Sequence, residues 1–362
     1  MNRTSRSPLG INALVVCLLG MTLLLVSAQG QTSVYVTNQF SNTVSKIDST
    51  TNTIVATIPV GNFPYGVAVS PNGDSVYVAN LLDNTISVID VATNTVVDTI
   101  PAGTNPENVS FTPDGRYAYV ADVGSAVSVI DTSTRKIVAT ITLPTLVNWI
   151  TLSPDGTLAY VTLLRGTSVV VIDTATNTII GSIAVQYDPL IAAFTPDGTH
   201  AYVTNLGANT VSVIDTATAT ATDTIKVGQF PAGVAITPDG TRAYVTNSFE
   251  SNSVSVIETA SGTITATIPV GVSPEGVAIT PDGARVYVVN YASQTVSVID
   301  TATNAVIATV GGLSSPNWIA VSPGIGPPTN KDQCKHGGWR KFSVPEKFKN
   351  QGQCIRFVNT GK

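Results

Sequence analysis

One tyrosine recurs along the chain as Tyr35, Tyr77, Tyr119, Tyr160, Tyr202, Tyr244 and Tyr287, at intervals of 42, 42, 41, 42, 42 and 43 residues. Its surroundings repeat with it. Ser75-Val76-Tyr77-Val78-Ala79-Asn80 matches Arg242-Ala243-Tyr244-Val245-Thr246-Asn247. A unit of this length cannot bury an apolar face alone, so its copies must stack on one another. Each unit also carries four short β-branched segments. In the second unit they start at Gly66, Val76, Thr85 and Thr95. Four strands per unit at a period near 40 specify a β-propeller.

The punctuation between segments agrees. Pro-Asp-Gly stands between the first and second segments at 113–115, 154–156, 196–198, 238–240 and 281–283. Proline presets φ, aspartate hydrogen-bonds its own turn, and glycine takes positive φ. The repeats open on a second-type segment, Ser33–Asn38, and end on a first-type one, Trp318–Ser322. The N-terminal three strands and the C-terminal one are therefore expected to complete one blade, which closes the ring and removes open sheet edges. The expected fold is all-β, a seven-bladed β-propeller of four-stranded blades.

The run Tyr35-Val36-Thr37-Asn38, repeated at 202–205 and 244–247, resembles the YVTN family of β-propeller repeats, as does Thr-Val-Ser-Val-Ile-Asp at 210–215 and 295–300. The resemblance spans residues 32–323. It implies an exported or cell-surface propeller with a binding or structural role. Related propellers include lactonases and lyases, so fold alone does not exclude an enzyme.

Only 11% of the residues are charged, against roughly 25% in ordinary chains. Hydrophobic residues make up 43%, which excludes disorder. Residues 29–330 hold 8 Lys/Arg against 21 Asp/Glu, whereas residues 331–362 hold 8 basic and 2 acidic. An acidic body argues against nucleic acid as a partner. At the N-terminus, Arg3 and Arg6 precede an apolar stretch from Ala13 to Val26 and a small-residue site, Val26-Ser27-Ala28. This is the pattern of a signal peptide over 1–28, with no membrane span after its removal, and an exported, secreted, periplasmic or cell-surface protein. The propeller is expected over 29–323, a Pro/Gly linker over 324–330, and a basic module over 331–362 that resembles C-terminal modules of other exported bacterial proteins. Cys334 and Cys354 in that module suggest a disulfide.

Residues that break the repeat are the candidates for function, because the fold does not demand them. The loops before the innermost strands hold Tyr65, Glu107, Asn148, Trp149, Glu275, Asn317 and Trp318. Trp149 and Trp318 replace the glycine of Gly66, Gly233 and Gly276. Exposed, they would stack on sugars or peptides; otherwise they plug the channel. These residues are expected to bind an extracellular protein or glycan ligand, or a cell-surface polymer. Alternatively, Glu107, Asp188 and Glu275 converge as general acid and base in a lactonase-like hydrolase or lyase, with or without a divalent cation. No other cofactor and no metal site is indicated. The recurrent aspartates (Asp90 and Asp215 among them) are read as turn caps, and the recurrent asparagines as partners of backbone groups. With two histidines and no G-x-S-x-G elbow, nucleophilic catalysis has no support.

Overall fold

The computed structural model describes residues 32–323. The expected signal peptide, the linker, the basic module and its Cys334 and Cys354 lie outside the described residues. Twenty-eight strands, β1–β28, run from Ser33 to Val321 and form seven antiparallel sheets of four. Among the described residues no helix is long and apolar enough to cross a membrane.

Blade 1 joins the two ends of the repeat array. Its order is β28 (Pro316–Val321), β1 (Ser33–Asn38), β2 (Thr43–Asp48) and β3 (Thr53–Pro59). Blades 2 to 7 follow in sequence: β4–β7 (Pro64–Pro101), β8–β11 (Pro106–Thr142), β12–β15 (Val147–Ala184), β16–β19 (Pro189–Lys226), β20–β23 (Pro231–Pro269) and β24–β27 (Pro274–Val310). The first strand of each blade is innermost, and neighbouring inner strands touch around a closed ring, β24 against β28 and β28 against β4 included. The closure is bonded at both levels. Val34 pairs with Val321 and Val36 with Ile319 in the ladder, and Ser322 N–H donates to the Ser33 carbonyl at 2.8 Å.

Stacking explains the burial. Middle strands are covered on both faces, so β6 (Thr85–Asp90) is buried from Ile86 to Ile89, whereas outermost β7 (Thr95–Pro101) alternates toward solvent. The seven tyrosines are all buried, and several reach the following blade. Tyr119 Oη donates to Asn177 Oδ1 at 2.6 Å, Tyr244 Oη to Asn304 Oδ1 at 2.9 Å, and Tyr287 Oη to Asn52 Oδ1 at 2.7 Å. The last of these bonds blade 7 to blade 1.

The repeated polar residues sort by height. At one end lie the Pro-Asp-Gly turns and the aspartate caps. Thr195 Oγ1 donates to Asp197 Oδ1 at 2.6 Å, and Thr218 N–H donates to Asp215 Oδ1 at 2.8 Å. Gly115, Gly198 and Gly240 take positive φ there, at 71°, 71° and 73°. The asparagines differ from expectation. Asn80 Nδ2 donates to Thr85 Oγ1 and Ser87 Oγ, and Asn205 Nδ2 to Thr210 Oγ1 and Ser212 Oγ. Their amides thus tie the second strand to hydroxyls of the third within one blade. Backbone N–H groups are partners only at Asn247 and Asn38.

Candidate functional site at the channel mouth

Six inner strands begin with proline: Pro64, Pro106, Pro189, Pro231, Pro274 and Pro316. The residue before each has positive φ, from 49° at Ser315 to 58° at Phe63 and Asp188. This bend brings the chain in from the rim, and proline, lacking an N–H, suits the first ladder position. The residue after each proline stands at the mouth. Around the ring these are Asn317, Tyr65, Glu107, Leu190, Ala232 and Glu275, with Asn148 after Val147 in blade 4.

A threonine on the second strand fixes many of these residues. Thr37 Oγ1 accepts Trp318 N–H at 3.0 Å and donates to the Tyr65 carbonyl of the next blade at 2.7 Å. Thr246 accepts Gly233 N–H at 2.7 Å and donates to the Glu275 carbonyl at 2.7 Å. Thr162 and Thr204 repeat the connection to Leu190 and Ala232. A hydroxyl both donates and accepts, so one side chain serves two strands. Blade 3 has Ala121 at this position, and Asn108 substitutes: its amide donates to the Ile150 carbonyl and accepts Ile150 N–H, both at 3.0 Å. Glycine is required beneath Glu107, because a Cβ on Gly66 would lie 2.5 Å from the Glu107 carbonyl oxygen.

The indoles are buried rather than exposed. Trp149 and Trp318 each retain 8% of their surface. They stand on blades 4 and 1, which are not neighbours, yet their ring centroids are 4.3 Å apart. The rings therefore meet across the channel axis and close it. Tyr65 stacks on Trp318 at 6.5 Å and 11°. Tyr65, Leu190, Val234 and Ile191 join both indoles in one apolar cluster. An aromatic floor lies under the mouth.

Glu107 and Glu275 are half-buried at this level. Burial raises the Glu107 carboxyl from its ordinary 4.5 to about 8. Burial likewise raises Glu275 to about 7, partly offset by Ser248 Oγ, which donates to Oε1 at 3.0 Å. Tyr65 is pushed well above the usual phenol range, first by burial, then by the charges of Glu107 and Glu275, and finally by Tyr291. Tyr65 thus feels both glutamates and Tyr291. Asn317 is 7% exposed, and its Oδ1 has no hydrogen-bond partner among the described residues.

Two candidates stand apart. Asp188 precedes Pro189, one position off the mouth ring, and its Oδ1 accepts Arg165 N–H at 2.8 Å. It caps the loop after β13 (Leu158–Leu163) and does not join the other two carboxylates. Asn148 is buried, and its amide donates to the Pro189 carbonyl at 3.1 Å. Sequence reading missed the threonine connectors, because they stand inside the repeat. It also missed Asp122, which occupies the asparagine position of blade 3; burial raises it to about 6 although Ser128 Oγ donates to Oδ2 at 2.7 Å. Among the described residues no three His, Cys, Asp or Glu side chains cluster to hold a metal.

The model of the YNCE-like beta-propeller family matches residues 9–123 and 242–327, more than half of the chain. The chain belongs to the YNCE-like beta-propeller family. The cytochrome D1 heme domain model also matches residues 106–281 of this YNCE-like propeller. A functionally unknown protein from Desulfotomaculum acetoxidans is similar in structure, with a TM-score of 0.73 and 19% identity over 80% of this chain and 99% of the other. A candidate 6-phosphogluconolactonase from Bacteroides uniformis gives 0.67 and 18% over 80% and 99%. The dihydro-heme d1 dehydrogenase NirN in complex with DHE gives 0.62 and 16% over 80% and 74%. At these identities the likeness is one of fold. No curated protein matches the chain significantly.

Proposed function

We propose that this YNCE-like propeller is an exported, non-enzymatic binding module that receives its ligand at the mouth formed by Tyr65, Glu107, Glu275 and Asn317. The observation that carries this reading is the meeting, in one place, of the irregular positions of four blades over an aromatic floor. A rigid ring presents such a surface with little ordering on binding. The signal-peptide pattern over 1–28 supports export.

The donor set does not fit a haem site. Haem iron is held by His, Cys, Met or Tyr. His200, the one described histidine, hydrogen-bonds Thr199 at the turn end. At the mouth the Tyr65 phenol is held in its protonated form by burial and two neighbouring carboxylates, which opposes ligation as phenolate. A phosphosugar is disfavoured for a related reason: its anion would face Glu107 and Glu275.

One observation favours a second reading. Two carboxyls titrating near neutrality suit general acid and base chemistry, as in a hydrolase or lyase. The test compares the wild-type chain with Glu107→Gln and Glu275→Gln on glycan and peptide arrays, beside a lactone hydrolysis assay. A binding module loses or changes its array signal in both variants and shows no turnover. Unchanged array binding in both variants overturns the mouth as the binding site. Turnover that disappears in both variants, with binding kept, establishes the enzyme instead.

A further inference from the structure

We propose that two copies of this chain meet at the mouth face, as a dimer about a two-fold axis lying in the plane of that face, over blade 5 and between blades 1 and 2. The inference goes beyond the binding reading and needs no ligand.

Among the described residues, exposed large apolar side chains lie on the outermost strands and in the loops of the mouth face, and none lies at the turn end. The outermost strands are blunted as edges, since each has a register shift against its neighbour. The mouth loops are not. Phe40, Leu82, Leu146, Tyr187, Phe230, Phe249 and Val272 stand there, between 40% and 64% exposed. At roughly 100 Å² each they offer about 700 Å² per copy, close to the roughly 800 Å² per partner of a standard interface.

Their order round the ring points to a second copy. Laid face to face about this axis, blade 4 falls opposite blade 6, blade 3 opposite blade 7, and blade 1 opposite blade 2. The loops that enter the inner strands obey the same rule. Tyr187, entering blade 5, falls opposite Phe230, entering blade 6. Leu146, entering blade 4, falls opposite Val272, entering blade 7. Half-buried Phe63, entering blade 2, meets its own copy. The two entry loops with polar tips, Thr104-Asn105 and Ser314-Ser315, fall opposite each other. Any other two-fold axis in this face turns at least one apolar entry loop onto a polar one. In the loops that join second to third strands, Phe40 of blade 1 falls opposite Leu82 of blade 2. An isologous contact requires this reciprocity.

The charges agree. Arg165 and Glu250 stand in the same loop of blades 4 and 6, both exposed and at positive φ. Among the described residues neither has an ion-pair partner. The axis sets Arg165 of each copy opposite Glu250 of the other. The turn end could not meet itself in this way. Its loops lower the pKa of Asp114, Asp155, Asp197, Asp215, Asp239 and Asp300, and two such faces would repel. The dimer covers the mouth, so a ligand held there competes with the second copy.

Sedimentation velocity and light scattering on the full chain, without ligand, provide the test. The wild type is expected to dimerise reversibly at micromolar concentration. Phe40→Ser/Phe249→Ser, shown to be folded by circular dichroism, should weaken the dimer at least about tenfold. Arg165→Glu and Glu250→Arg should each weaken it about tenfold, and the double exchange Arg165→Glu/Glu250→Arg should recover the wild-type constant. A chain still monomeric at about 100 μM, far above the dissociation constants of standard interfaces, overturns the proposal. So does a dimer that keeps its affinity in the mouth variants but loses it in Ile180→Ser, on the outermost strand of blade 4. Weakening by each single charge reversal without recovery in the double exchange overturns the axis. A monomer that floats with phosphatidylcholine vesicles, and ceases to in Phe40→Ser/Phe249→Ser, assigns the rim to a lipid surface instead. The array comparison is decided separately, because it reads Glu107 and Glu275.

Discussion

The two ends of the propeller treat the same functional group in opposite ways. At the turn end, carboxylates such as Asp197 and Asp239 accept hydrogen bonds from their own loops, which lowers their pKa. The Thr195 hydroxyl and the Thr199 N–H hold Asp197 at about 2, and the Thr237 hydroxyl and Thr241 do so for Asp239. At the mouth, Glu107 and Glu275 are enclosed with few donors, and burial raises both. The supply of donors explains the contrast. The turn carboxylates find hydroxyl and N–H donors within their own loops, whereas burial acts on the two glutamates with at most one side-chain donor to oppose it.

The largest expected effect tests whether the mouth has a structural floor. Trp318→Ala removes the indole that meets Trp149 across the axis and should destabilise by about 3–5 kcal/mol, read as a lower urea midpoint. A midpoint within error of wild type would mean the rings do not close the channel.

Next comes the sign of the mouth carboxylates. Glu107 has a folded pKa near 8 against 4.5 when exposed, so between these values the folded state binds more protons than the unfolded one. Stability from this group therefore falls as pH rises from about 4.5 to 8. Glu107→Gln should add about 2–4 kcal/mol at pH 8, after allowance for partial solvation, and almost nothing at pH 4. Urea unfolding of both proteins across that range should show a flatter profile for the variant, and parallel profiles would count against the burial account.

Smaller again is the connector between blades. Thr204→Val loses the bond to Ala232 O at 2.8 Å and the one from Ile191 N–H at 3.1 Å while keeping the shape. It should cost about 1–2 kcal/mol, with amide exchange quickening at Ile191 first. Exchange that quickens evenly over all seven blades would argue against a local tie.

The turn end should yield the least. Asp239→Asn keeps an acceptor for Thr241 N–H and should move the thermal midpoint at pH 7 by under about 2 °C. Its sign is opposite to that of Glu107. A depressed carboxylate stabilises above about 4 and loses that contribution as pH falls toward 2. The variant should thus be less sensitive to acid than wild type when unfolding is followed from pH 4 to pH 2.

Much of this was legible in the residues, for identifiable reasons. The tyrosine interval counted the blades, and the segment types at Ser33–Asn38 and Trp318–Ser322 showed how the ring closes, because both depend on local periodicity. Asp215 could be read as a cap since its partner Thr218 is three residues away. Asp188 could not be separated from Glu107 by sequence, because one position along the loop decides whether a carboxylate meets Arg165 N–H or the mouth. Trp149 and Trp318 lie far apart in the chain, and their burial depends on how far two indoles reach across the channel.

Sequence by itself determined the number of blades, their strand order, the closure and the capped turns, because each is a contact within one repeat or between adjacent ones. Tertiary structure alone decided that two indoles meet over the axis, that Glu107 and Glu275 flank Tyr65 while Asp188 does not, and that Asn317 has an acceptor to spare. Those facts depend on distances across the ring, and no spacing along the chain encodes them.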